Sequence, residues 1–299
     1  MKFNPNVFTA LFLLFIVSCK DEPTSKEKSI IAVMEYEATQ YIPDTWIAKR
    51  VGKVKNELNS TEAGKIVWKA MEAHGGLETW YANGPLSFRF NYRPLDGKTP
   101  RDSYQTIDTW SNRARHTSAT DSTAHFGWTG KTAWVEAADN TAFAYDTKFW
   151  ALTPIYFLAQ PFILDGDGVN LELLRNTDYK NISQDVVKVT FDAGTGDAPD
   201  DYYILYFQED THWLSAIRYI VSYPAYFKDG GHSPEKFMEV LGAETVEGIR
   251  FPTSYKTHWL TEDAKPGAYI TNIEVSDIHF EQQLNTDFFA VPEGATVLE

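Results

Sequence analysis

The segment Phe149–Leu164, FWALTPIYFLAQPFIL, is the longest apolar run in the chain beyond its first twenty residues, and it interrupts a long series of strand-like segments. It is 16 residues long and divided by Pro154 and Pro161, too short and too broken for a helix crossing a bilayer, which takes roughly 20 apolar residues. It is expected to form short helical or looped pieces laid against a sheet. Two readings stand side by side: a plug or lid over the concave face of a curved antiparallel sheet, or ordinary core filling.

Outward from this segment the pattern is that of strands. Leu86, Phe88, Phe90 and Tyr92 alternate with Ser87, Arg89, Asn91 and Arg93, the period of two that a strand with one buried face requires. Similar runs are predicted at 104–110, 124–128, 132–137 and 141–145 before the insert. After it come 171–174, 186–191, 202–207, 213–223, 237–245, 251–260 and 270–280. Asp96-Gly97, Gly127–Gly130, Asp139-Asn140, Gly194–Asp200 and Glu247-Gly248 separate them and are turn-forming sequences. The fold class expected is mainly β with α, a strongly curved antiparallel sheet (half-barrel) of about eleven strands with helices on its concave side.

Ahead of the strands, Asn59-x-x-Glu62 reads as a capping box. Ala63, Ile66, Val67, Ala70 and Met71 then form one helix face that ends at Gly75-Gly76. His74 falls in the last turn, where a cation suits the helix dipole. Residues 30–60 form an N-terminal helical extension, with Ile47, Val51, Val54 and Leu58 at helical spacing after Pro43-Asp44.

The chain begins with one basic residue, Lys2, an apolar Val7–Val17 broken only by Thr9, and Ser18-Cys19. This is the layout of a secretory leader, and Ile16-Val17-Ser18-Cys19 resembles a bacterial lipobox. Residues 1–18 are then a lipoprotein signal peptide, and Cys19, the chain's single cysteine, is the lipidation site. It has no partner for an internal disulfide. Residues 19–29 are a polar tether. Position 20 is Lys, not the Asp that resembles an inner-membrane retention signal, so the outer membrane is expected, on its periplasmic face or at the cell surface. Lys20-Asp21-Glu22 resembles a surface-export signal.

The whole chain carries 27 basic and 41 acidic residues, a net charge of −14. Such a field disfavours nucleic acid and anionic headgroup surfaces as partners. Membrane attachment therefore rests on acyl chains at Cys19, each buried CH₂ contributing about 0.8 kcal/mol.

Several short motifs resemble the lipoprotein-carrier (LolA/LolB-like) superfamily. They are Ala73-His74-Gly75-Gly76 with Trp80, the hairpin 127–134 (GWTGKTAW), the strand pair 200–217, Val246–Pro252, and Leu284–Pro292. The resemblance spans about Thr61 to Pro292 within a domain taken as 61–299. It implies a concave cavity that binds acyl chains or other apolar matter without chemistry. The predicted lipobox departs from the soluble carriers and fits an acceptor or surface binder better than a shuttle.

No motif supports catalysis. The seven histidines form no HExxH or HxH pattern. Asp165-Gly166-Asp167-Gly168 lacks the rest of a calcium loop, and no Gly-x-Ser-x-Gly elbow occurs. A non-enzyme is expected, with no metal and no cofactor. Its 9 Trp, 16 Tyr and 19 Phe offer an apolar wall to a lipid or lipoprotein ligand. The candidate ligand-binding residues are Phe149, Trp150, Tyr156, Phe157 and Phe162 on the insert, with Trp128 and Trp134 on the sheet. In the alternative reading, a surface lipoprotein capturing glycan or protein, Tyr92, Trp110 and Tyr206 would form an exposed face. A hydrolase ranks third.

Overall fold

The computed structural model describes residues 42–139, 141–196, 198, 200–281 and 284–298. The leader, Cys19, the tether and the first part of the predicted extension lie outside the described residues. Three helices open the described chain: α1 (Asp44–Leu58), α2 (Glu62–Ala73) and α3 (Leu77–Ala82). The strands β1 (Leu86–Pro94), β2 (Arg101–Ile107), β3 (Ala114–Ser118), β4 (His125–Trp128) and β5 (Ala133–Glu136) follow. The apolar insert folds as α4 (Thr147–Trp150), α5 (Thr153–Leu158) and a 3₁₀ turn (Phe162–Asp165).

The second run of strands comprises β6 (Val169–Leu173), β7 (Thr177–Tyr179), β8 (Ile182–Phe191), β9 (Tyr203–Gln208), β10 (Leu214–Tyr219), β11 (Lys236–Val246), β12 (Ile249–Leu260), β13 (Pro266–Phe280) and β14 (Thr296–Leu298). All fourteen belong to one antiparallel sheet in the order β14-β5-β4-β3-β2-β1-β13-β12-β11-β10-β9-β8-β6, and β7 pairs with β8 beside β6. The path is open. β6 and β7 run one after the other along the same partner, interrupted at residues 174–176.

Curvature follows from who meets whom. β4 and β6 stand ten places apart in the sheet order, a separation of about 48 Å in a flat sheet at ~4.8 Å per strand. Trp128 of β4 and Val169 of β6 nevertheless line one cavity. The sheet therefore wraps around its contents as a half-barrel. Its inner face carries Phe88, Phe90, Phe126, Val187, Leu205, Ile217, Phe251 and Tyr255, which join the helices and the insert in one buried core. A smaller cluster of Val186, Ile204, Tyr206, Ala216 and Phe237 lies on the other face, as the alternation along β8, β9 and β10 demands.

Local chemistry explains how the helices dock. The N-cap of α2 is Thr61, whose Oγ1 accepts from Gly64 N at 3.0 Å. The expected capping box at Asn59 is thus displaced by two residues, and Glu62 instead pairs with Lys65. At the other end Gly75 (φ 119°) and Gly76 (φ 87°) reverse the chain. The hairpin β11–β12 turns on Glu247 and Gly248, both at positive φ, the two-residue geometry that suits sheet twist. That turn meets the end of α2, because Arg250 N donates to His74 O at 2.8 Å. A Cβ on Gly75 would sit 2.2 Å from Gly248 O. Helix and hairpin are fastened backbone to backbone.

His74 is not the helix-end cation that its position suggests. It is 3% exposed. Its Nδ1–H donates to Ala70 O at 2.7 Å, and its Nε2 accepts from Leu214 N at 3.5 Å. Burial, with Arg250 nearby, lowers its pKa to about 4 against the hydrogen bond to Ala70, so the ring is neutral at pH 7. Two further expectations are corrected. Residues 141–145 form no strand: Phe143 and Tyr145 instead pack on Phe126 from irregular backbone. Strand β3, not anticipated, occupies Ala114–Ser118.

Gly75→Ala places a side chain against the Gly248 carbonyl in a conformation that L-residues avoid. It is expected to lower unfolding free energy by about 3 kcal/mol, whereas Gly248→Ala, which meets only Thr79 Cγ2 at 3.5 Å, costs ~1 kcal/mol. Urea unfolding of both variants checks the order; equal losses contradict the docking account.

Candidate functional site: a cavity beneath the insert

Between the insert and the inner face of the sheet lies a cavity of about 490 Å³, within the ~300–1,000 Å³ range of small-molecule sites. Phe149, Leu152, Tyr156 and Ile163 present half-buried side chains to it, and Phe157 and Phe162 line it from more deeply buried positions. Trp80 from α3, Trp128 from β4, Phe191 from β8 and Tyr203 from β9 also line it. Trp80 stacks on Phe162 at 4.9 Å between centroids, which fixes one wall.

The insert is fastened at three points. His116 of β3 is 1% exposed and stacks on Phe126 at 4.1 Å. Its Nε2 lies 2.8 Å from Ala151 O. A carbonyl can only accept, so Nε2 carries the proton, and Nδ1 accepts from Ser103 Oγ at 3.2 Å. Burial pushes the His116 pKa down to about 4 against the Ala151 hydrogen bond. Farther along, Tyr255 OH donates to Phe157 O at 3.2 Å.

The third fastening joins the insert to α1. Arg50 donates from Nε to Asp165 Oδ2 and from its terminal nitrogen to Asp165 O, each at 2.8 Å, and Tyr81 OH donates to the same carboxylate. Burial opposes charging Arg50, but the hydrogen bond and charge of Asp165 outweigh it and raise its pKa. Burial and the same carboxylate push the Tyr81 phenol up. Lys53 pairs with Asp167 at 2.5 Å. Asp165 and Asp167, in a sequence that invites a calcium reading, thus serve as anchor points, and no group of three metal-ligating side chains occurs among the described residues.

The proposed ligand residues separate into two sets. Phe149, Tyr156, Phe157, Phe162 and Trp128 line the cavity, and Trp150 and Trp134 do not. Trp150 is 7% exposed and packs on Tyr92 at 4.8 Å, with the Arg101 guanidinium 5.2 Å from its ring. Trp134 is fully buried on the opposite face of the sheet: it pairs with Gly127, which pairs with Arg115, and Arg115 lies over its ring and over Phe288. Cross-strand partners share a face, and His116 and Phe126, one residue along, point inward. The three aromatics of the alternative surface also part company. Tyr92 faces the insert, Trp110 lines the cavity and Tyr206 is buried with Phe237 outside.

His116, Arg50 and Tyr255 were not singled out by sequence. His116 sits in a polar strand, ARHTS, and only the register shows that its ring faces the insert.

Fold and cavity define an open antiparallel half-barrel with an inserted plug over a partly open chamber whose walls are both aromatic and polar. No family model matches the chain, and no curated protein matches its sequence. Solved structures similar to it include a LolA superfamily protein from Nitrosomonas europaea, at 11% identity over 77% of this chain and 98% of that one, with a TM-score of 0.49. A DUF1329 family protein from Desulfovibrio piger is similar at 13% identity over 76% and 96%, TM-score 0.49. An outer membrane lipoprotein-sorting protein domain from Vibrio parahaemolyticus is similar at 7% identity over 76% and 95%, TM-score 0.47. Among these structures is a member of the LolA superfamily, the family that the sequence motifs resemble.

His74 and His116 are both neutral bases whose folded pKa lies below the unfolded value of 6.5. The unfolded chain then binds more protons between pH 6.5 and 4, so stability is full above 6.5 and falls as the pH drops through that window. Each imidazole contributes on the order of 3 kcal/mol to the fall. In His116→Gln the slope of unfolding free energy against pH, from urea titrations between pH 7 and 4, should decrease; an unchanged slope removes His116 from the account.

Proposed function

We propose that this chain is a lipid-anchored, non-enzymatic binding protein of the bacterial envelope that holds an acyl chain or a similar apolar ligand in the cavity beneath the insert. The observation that carries the reading is the cavity itself. Its volume is unfilled by side chains, while Phe149, Leu152, Tyr156 and Trp128 reach it only half-buried. Close packing is the norm in protein interiors, and a chamber of this size with aromatic side chains on its walls falls in the range of small-molecule sites.

The aromatic walls offer large contact area with few rotamers to freeze. The backbone carbonyls of the insert nearest His116 and Tyr255 are already satisfied, so a ligand meets side chains rather than unpaired backbone there. The envelope location and the anchor rest on the leader and on Ile16-Val17-Ser18-Cys19. Among the described residues no helix is long and apolar enough to cross a membrane.

The insert's placement changes the expected roles of its residues. Trp150 belongs to the packing around Arg101, so Trp150→Ala is expected to cost stability rather than ligand. Leu152 borders the chamber, and Leu152→Trp fills it. Full-length protein, purified without added lipid and extracted with organic solvent, should release a defined lipid by mass spectrometry, and Leu152→Trp should release less than a tenth as much. Wild-type protein that yields none and takes up no fluorescent fatty acid would falsify the proposal. Replacement of Cys19 by Ser should abolish incorporation of labelled palmitate; continued labelling refutes the lipidation site.

A further inference from the structure

Two charged groups on the cavity wall, Lys148 and Asp201, are in no ion pair, and Asp201 is engaged by Ser222 with Lys236 nearby. The cavity is lined by two basic side chains, Arg50 and Lys148, and three acidic ones, Asp165, Asp167 and Asp201. Arg50 and Asp165 hold each other at 2.8 Å, and Asp167 is held by Lys53 from outside the wall. Asp201 accepts from both Ser222 N and Ser222 Oγ, at 2.5 and 2.7 Å, and burial pushes its carboxyl above the usual range. Asp146, two residues before Lys148, is committed to capping α4 through Phe149 N at 3.0 Å. Lys148 has no acid, carbonyl or ring partner among the described residues.

Its position makes this more than a solvated lysine. Lys148 is half-buried and precedes Phe149, which lines the same cavity. α4 packs beside β4 and β5, and Trp128 at the end of β4 and Asn112 of the β2–β3 loop line the same cavity. The Asn112 carboxamide, at an exposed loop tip with φ 52°, is likewise unengaged among the described residues. A half-buried lysine and an exposed asparagine, neither with a side-chain partner among the described residues, thus line one cavity together with aromatic side chains, in a protein whose net charge is −14. A lysine there can lay its methylene stem along apolar neighbours and keep its charge at the boundary.

We infer that the cavity selects amphiphiles with an anionic head, and that Lys148 is the residue that recognises the head while the chain lies among Phe149, Leu152 and Tyr156. This specificity rests on the apolar-ligand reading above. The shared chemistry is a singly charged oxyanion at one end of an acyl chain, a fatty-acid carboxylate or a phosphodiester headgroup. A charge-assisted hydrogen bond at a partly desolvated site discriminates against an uncharged head by about tenfold, equivalent to ~1.4 kcal/mol.

The test is fluorescence titration of full-length protein with 11-(dansylamino)undecanoic acid and with its methyl ester. Wild type should bind the acid about tenfold more tightly than the ester. In Lys148→Met the two affinities should converge, and Lys148→Arg should keep most of the preference. Circular dichroism melts confirm that each variant is folded. Competition by palmitate or by lysophosphatidylglycerol, with lysophosphatidylcholine as the zwitterionic control, tells which source of oxyanion fits. Displacement by either anion but not by the zwitterion supports the inference. Equal binding of acid and ester by wild type overturns head selection and leaves the apolar site standing; binding of neither probe overturns both; a preference that survives Lys148→Met removes Lys148.

Discussion

A sheet with one apolar face must cover that face, and in this chain the cover is supplied by an insert that fits closely in some places and loosely in others. The fourteen-stranded sheet curves so far that side chains from strands ten places apart share a wall. Helices α2 and α3 fill part of the concavity, and the insert fills most of the rest. Everything else about the interior, including where space remains, depends on how the insert is held.

That hold is polar where it must be specific and apolar where it need only exclude water. Ala151 and Phe157 offer carbonyls that α4 and α5, at four and six residues, are too short to satisfy in full. His116 and Tyr255 reach from the sheet to meet them. A buried carbonyl without a donor costs ~1–3 kcal/mol, so these contacts set the position of the insert as well as stabilising it. The Arg50–Asp165 pair adds a link to α1, which makes the N-terminal helix part of the cavity's frame. The insert is therefore a seated plug rather than a loose flap, and the chamber is the part of the concavity that the plug leaves unfilled.

Much of this architecture could be read from the sequence, and the misses have physical causes. The alternation from Leu86 to Tyr92 reported a half-buried strand, and Gly75-Gly76 reported the helix end. The apolar insert between two strand series reported something covering a sheet. β3 is not legible because ARHTS contains only one apolar residue; its inward face is built from Ala114, paired with Ile107, and His116, which stacks on Phe126 and bonds Ser103. The stretch 141–145 reads as a strand because Phe143 and Tyr145 alternate, yet their rings are used to pack on Phe126. Which face a tryptophan occupies is set by register, so Trp128 and Trp134, six residues apart in one hairpin, fall on opposite sides. Lys148 escaped notice beside the apolar run because an unpartnered charge is visible only after every neighbour has been assigned.

An open sheet has two unpaired margins, each able in principle to recruit a foreign strand and seed aggregates. Here one margin is β14, only three residues long. The other is broken where β6 gives way to β7: Leu174 turns to the outer cluster and Asn176 reaches Asp185 and Glu209. Among the described residues neither margin offers an uninterrupted template of the length that cross-β stacking uses, about six or seven residues. The half-barrel can thus stay open, as its chamber requires, without inviting further strands to complete it.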